Sequence, residues 1–170
     1  MKNTILAIIL VFSVLAVSAQ DNQKKSRKEK RAEKNAALIE QTKNLVESRN
    51  FMFVPRTANP MGGRTVNLTT DFELTMNNDS VSSYLPYYGR AYTAAYGGES
   101  PMNFNLPVND YSSEKTKKGF EIKFSVKNAN DLLNFTFQIM ETGSTTLQVN
   151  STNRQSISYF GSLEKKPEKR

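Results

Sequence analysis

Two hydrophobic periods divide the chain, one helical and one of strands. Between residues 36 and 48, Leu38, Ile39, Thr42, Leu45 and Val46 fall at i, i+1, i+4, i+7 and i+8, one stripe of a helix. From residue 50 onward the period shortens to two. Asn50–Val54 is a short apolar strand ended by Pro55. Val66, Leu68, Thr70, Phe72, Leu74 and Met76 then alternate with polar residues, with a break expected near Thr70-Asp71. Asn77-Asn78-Asp79 supplies turn residues, and Ser80–Leu85 returns as the next strand. Met102, Phe104, Leu106 and Val108 alternate again, with Pro107 marking an edge or a bend. Asp110–Thr116 and Phe120–Lys127 read as a hairpin around Lys117-Lys118-Gly119, the glycine taking a positive φ. Leu133, Phe135, Phe137 and Ile139, then Leu147 and Val149, then Ile157, Tyr159 and Leu163, give three more one-sided strands. Gly161 shares the inner face of the last one, where its missing side chain would admit a large neighbour such as a phenylalanine.

Eight to ten strands joined by short turns predict antiparallel pairing. The fold class is therefore mainly β (a β-rich α+β chain): a sandwich or a lipocalin-like barrel with one N-terminal α-helix. The helix starts near Ser26, with Glu29 at the spacing of a capping box, and its half from Ala36 to Ser48 is expected to dock on the sheet.

The N-terminus changes the picture of where the chain works. Lys2, the apolar run Thr4–Ala16 and the small residues Val17-Ser18-Ala19 form a signal-peptide pattern over residues 1–19, with cleavage before Gln20. The run is shorter than the about 20 apolar residues of a spanning helix, and no later run is long enough to span. The expected product is an exported chain, periplasmic or envelope-associated and soluble after cleavage near Ala19. It comprises a basic polar extension at 20–34, one β-rich domain at 35–163 including the docked helix, and a charged tail at 164–170.

Composition then removes chemistries. The chain has no cysteine, no histidine and no tryptophan. Disulfides, nitrogen- or sulfur-ligated zinc, and Ser-His-Asp or Cys-His catalysis are excluded. No cofactor motif is present, and no metal site or catalytic residue is assigned. The formal charge of +7 becomes +6 once Lys2 leaves with the leader. Lys24–Lys34 carries seven cations and two anions, the tail from Glu164 four and two, and residues 35–163 eleven of each. Because the charge sits at the ends and not on one face of the domain, no nucleic-acid partner is expected. Lys24–Lys34 reads as a solvated arm; its functional alternative is weak contact with anionic surfaces.

One segment fits neither period. Tyr84–Gly98 holds five of the seven tyrosines, Tyr84, Tyr87, Tyr88, Tyr92 and Tyr96, together with Arg90 and three glycines. Tyrosine combines a flat apolar ring with a hydroxyl, which suits a protein, a glycan or a small amphipathic ligand. Arg90 suits an anionic group or a carboxylate that fixes the loop. The same features also fit a purely structural role, with rings packed over a mouth of the sheet and glycines serving bends. Asp71 and Glu73, two apart, share one strand face, and Asp110 and Glu114, four apart, do so by the same alternation, but nothing in the spacing sets a pair across a cleft.

NNDSV at Asn77–Val81, YLPYYGRAY at Tyr84–Tyr92, KKGFEIKF at Lys117–Phe124 and NRQSISYFG at Asn153–Gly161, behind a signal peptide and a charged helix, resemble an exported bacterial family described as domain of unknown function 4251. The resemblance implies a β-rich exported domain and carries over no activity and no catalytic residue. The leading expectation is a non-catalytic binding or interaction module of the bacterial periplasm or cell envelope, with the tyrosine segment as its contact surface. The alternatives are a barrel that carries a small apolar or amphipathic ligand inside, and a carboxylate-based hydrolase.

Overall fold

The computed structural model describes residues 27–92, 100–129 and 131–167. The leader, Ser26 and Tyr96 lie outside the described residues. The helix α1 spans Arg27–Ser48, and ten strands follow: β1 (Asn50–Pro60), β2 (Val66–Asn67), β3 (Glu73–Asn77), β4 (Ser80–Tyr84), β5 (Asn103–Pro107), β6 (Asn109–Thr116), β7 (Gly119–Asn128), β8 (Asp131–Met140), β9 (Ser144–Ser151) and β10 (Ile157–Glu164). They form one antiparallel sheet in the order β5-β4-β3-β1-β10-β9-β8-β7-β6, with β2 paired to β1. The chain divides into two compact units at Asn35/Ala36, and the whole sheet belongs to the second.

The sheet is a nearly closed barrel, the second of the two architectures predicted. Its edges β5 and β6 are consecutive in the chain, separated only by Val108. β5 pairs with β4, and after the bend β6 pairs with β7. Pro107 stands at that bend, as its missing amide hydrogen requires. The Val108 amide donates instead across to Asp79 O at 2.9 Å.

Inward residues fill the interior. Phe51 and Phe53 on β1 meet Phe137 edge-on, with centroids 5.9 and 5.6 Å apart. Phe124 stacks on Phe135 at 4.9 Å, and Phe104 closes the gap from β5 at 6.1 Å from Phe135. Leu74, Met76, Val81, Ile122, Leu147 and Val149 complete the wall of this core. Strict alternation carries β8 and β9, whose inner residues are buried while their neighbours face out.

Several local expectations change. Pro55 does not end β1. The strand runs on to Pro60 through a register shift between Pro55 and Thr57, which carries it past β10. Gly161 lies opposite Pro55, and a Cβ there would overlap Val54 O, so the glycine admits the β1 backbone and not a phenylalanine ring. The run from Val66 to Met76 is two strands; residues 68–72 leave the ladder, while Leu68 and Phe72 still pack on the core. Gly119 takes the expected positive φ, but it is the first residue of β7 and the β6–β7 turn is Lys117-Lys118; a Cβ on Gly119 would overlap Ile139 O of β8. In α1 only Thr42, Leu45 and Val46 are buried, whereas Leu38 and Ile39 are exposed. Docking therefore begins one turn later than the apolar stripe. The short contact length has a geometric cause: the helix meets the barrel at its end, where Thr42 Oγ1 stands beside Gly143 of the β8–β9 turn.

Arg27–Asn35, in the first unit, is helical and exposed throughout. Among the described residues, no helix is long and apolar enough to cross a membrane.

Candidate functional site: a tyrosine segment clamped over one mouth of the barrel

The β8–β9 turn and α1 mark one mouth of the barrel. At the other lie the β7–β8 and β9–β10 turns, and the chain leaving β4 crosses there. Its first fastening is made from inside. Tyr159 of β10 is fully buried, and its hydroxyl donates to Pro86 O at 2.7 Å. Burial pushes the Tyr159 phenol far above its ordinary pKa, with the nearby Tyr87 and Tyr88 adding to the shift.

The second fastening is made by Tyr87, whose hydroxyl donates to Gln155 O at 2.8 Å and lies 3.2 Å from Arg90 O. Gly89 makes that wrap feasible, because a Cβ there would overlap the Tyr87 hydroxyl. Here the glycine lets the chain approach its own tyrosine. Gly97 and Gly98 lie outside the described residues. Backbone bonds then zip the segment to the β9–β10 turn. Gln155 N donates to Arg90 O at 3.0 Å, Arg90 N to Gln155 Oε1 at 3.2 Å, and Tyr92 N to Asn153 O at 2.8 Å. Ala91 and Arg154 form an isolated antiparallel bridge.

The turn that receives the segment is held by Asp131. Its carboxylate accepts from Ser151 Oγ at 2.7 and 2.8 Å, from Thr152 Oγ1 at 3.0 Å and from the Asn153 amide at 3.4 Å. Arg154 Nε stands 3.6 Å from the same carboxylate, a charge contact outside hydrogen-bond range. Its guanidinium carbon lies 5.9 Å from the centre of the Tyr87 ring, within cation–π reach. Burial raises the Tyr87 pKa, and Arg154 opposes the shift. The phenol stays a hydrogen-bond donor at neutral pH.

The clamp decides which residues face solvent. Tyr84 ends β4, is 48% exposed, and has its ring centre 5.4 Å from that of Phe72. Tyr88 and Tyr92 are 45% and 67% exposed, and Arg90 is exposed beside them. Tyr87 is half-buried and tied down. The predicted set thus divides into Tyr84, Tyr88, Arg90 and Tyr92 as outward groups and Tyr87 as a fastener.

The carboxylates have local partners. Asp110 Oδ2 accepts from Ser125 Oγ at 3.1 Å, Glu121 pairs with Lys123, and Asp131 is engaged as described. Asp71 and Glu73 are both exposed. Among the described residues no group of three acidic side chains is placed to hold a metal ion. The arrangement offers contact: exposed phenol rings and one guanidinium on a fixed backbone. Periodicity picks out neither Asp131 nor Arg154, which support it, whereas Tyr159 falls on the inward face predicted for the last strand; Arg154 and Tyr159 sit inside the NRQSISYFG stretch.

A nearly closed antiparallel barrel with a helix at one mouth and a tyrosine-bearing crossing at the other is the class the geometry defines. The family model described as Domain of unknown function (DUF4251) matches residues 33–163, and the chain belongs to that family. Its fold is similar to the crystal structure of a DUF4251 family protein from Bacteroides eggerthii, with a TM-score of 0.57 and 15% identity over 77% of this chain and 91% of that one. No curated protein matches the chain.

Proposed function

We propose that this protein is a non-catalytic binding or interaction module that works after export, in the bacterial periplasm or cell envelope. Its contact surface is the face carrying Tyr84, Tyr88, Arg90 and Tyr92. The observation that carries the reading is the exposure of three phenol rings on a segment clamped by Tyr159, Tyr87 and the Asn153–Gln155 turn. Rings held in solvent by a fixed backbone lose little further freedom on binding. They also present apolar area and a hydroxyl together, which suits a protein or glycan partner. Export rests on the leader pattern of residues 1–19.

A photo-reactive residue placed at position 88 in the native host tests the surface, with position 115 on β6 as the control. Adducts at 88 that are missing at 115 support the reading. Equal labelling at both positions, or none at 88, overturns it. Mass spectrometry of the purified protein tests export separately: its N-terminus should be Gln20.

A further inference from the structure

The outer face of β8, β9 and β10 departs from an ordinary solvated sheet face. Around its margin Leu132, Met140, Ser144, Phe160, Ser162 and Glu164 face out; inside that margin the outward residues are Asn134, Thr136 and Gln138 on β8, Thr146, Gln148 and Asn150 on β9, and Ser158 on β10. The inner residues lie side by side in the ladder: Thr136 opposite Gln148, Gln138 opposite Thr146, and Gln148 opposite Ser158. None of them is charged. Charge is present on the neighbouring strands β6 and β7, where Glu114, Glu121, Lys123 and Lys127 face outward. The nearest of these, Glu121 and Lys123, neutralise each other as an ion pair. A solvated surface normally mixes both signs of charge at about a quarter to a third of its positions.

This face is also concave. A depression of about 330 Å³ is lined by Thr136, Gln138, Thr146, Gln148 and Ser158, with Asn59 and Met61 as its far wall. Met61 is 63% exposed, and its sulfur takes a 3.5 Å contact from Ser156 Oγ. On the other side Phe160 lies opposite Thr146 in the ladder, with its ring 48% exposed. The depression therefore has a floor of amides and hydroxyls beside the exposed Met61, and Phe160 stands next to it on the same sheet face.

We infer that this face is a binding site for a neutral oligosaccharide. Sugar hydroxyls donate and accept at once, and Gln, Asn, Thr and Ser are the uncharged side chains that do the same. The apolar C–H face of a sugar ring matches Phe160 and Met61. The absence of charge from the lining selects against phosphate, nucleic acid and uronic acids, whose recognition draws on cationic side chains. The volume lies at the lower end of small-molecule sites, about 300–1,000 Å³, so the ligand occupies the depression with only a short part of a longer chain. The site uses none of the tyrosines and stands independently of the surface proposed above.

The test is an NMR titration of the chain from Gln20 with neutral trisaccharides of glucose, mannose, xylose and N-acetylglucosamine, and with an acidic galacturonate trimer as control. Expected are shifts of the Thr136–Gln138 and Thr146–Gln148 amides with at least one neutral sugar. The affinity should not change between low and high salt. It should weaken by roughly tenfold or more in Gln138→Ala/Gln148→Ala, which removes two surface amides and leaves the melting temperature unchanged. Tyr88→Ala/Tyr92→Ala should bind as the parent does. The inference is overturned if no neutral sugar produces shifts, if only the acidic trimer does, if the shifts map to residues 84–92, or if the double glutamine variant binds equally.

Discussion

Gly161 is held by what surrounds it. It faces Pro55 across the ladder, and the β1 backbone at Val54 and Pro55 occupies the space a side chain would need. Backbone cannot rotate away as a side chain can. Gly161→Ala should therefore cost roughly 1–3 kcal/mol by overpacking, read as a lower urea midpoint with an unchanged slope. Tyr159 raises a different question, that of charge. Its hydroxyl is buried and bonded to Pro86 O, and burial holds its pKa well above that of the unfolded phenol. Below about pH 10 both states keep the proton and the contribution to stability is whole. As pH rises past that point the unfolded chain ionises first, so stability falls. Tyr87 and Tyr111 shift the same way and add to the trend. Tyr159→Phe should lose about 1–2 kcal/mol at neutral pH through the unpaired Pro86 carbonyl. It should also show a shallower loss of stability above pH 10 than the parent, measured by denaturation at several pH values. An equal slope in both proteins would show that Tyr159 does not set the alkaline limit.

At the scale of elements, the helix divides in two. Its exposed part from Arg27 bears the charged run, and the last turns from Thr42 to Val46 enter the core. Deleting residues 20–35 should change stability by less than about 0.5 kcal/mol, as for surface changes generally. Leu45→Ala should cost about 2 kcal/mol or more. Thermal unfolding of both variants checks the contrast. The elements also show what a sequence makes legible. β8 and β9 could be read residue by residue because one face meets the phenylalanine core and the other meets solvent, so alternation survives intact. Leu38 and Ile39 have the spacing of a docking stripe yet stay exposed, because α1 is buried only from Thr42 to Val46. Pro55 reads as the end of a regular strand, whereas here it falls at a register shift opposite a glycine. The support of the tyrosine segment was not legible: Asp131 acts on residues 20 to 23 positions away, and no local period encodes a carboxylate that gathers a distant turn.

For the whole molecule, connectivity governs folding. Neighbouring strands follow one another except at β1, which sits between β3 and β10. The pairing of Met52 with Glu164 and of Pro60 with Ile157 joins the two ends of the sheet's sequence. Such long-range pairing places folding in the range of about milliseconds to seconds, and stopped-flow refolding should find it there. A chain ended before Ile157 would leave β1 and β9 each with one side unpaired and should show no cooperative unfolding transition. The charge balance belongs to this scale too. The body is neutral and the ends are basic, so salt should act on association through the ends and hardly on the barrel's stability.

The position of β10 has a consequence for the chain's life before it is folded. The strand that joins the two halves of the sheet comes last of the ten in chain order, so a growing chain holds β3–β9 before the piece that unites them. A product clipped short of Glu164 lacks part of the strand that lies between β1 and β9. Closure of the sheet thus waits on the strand made after all the others.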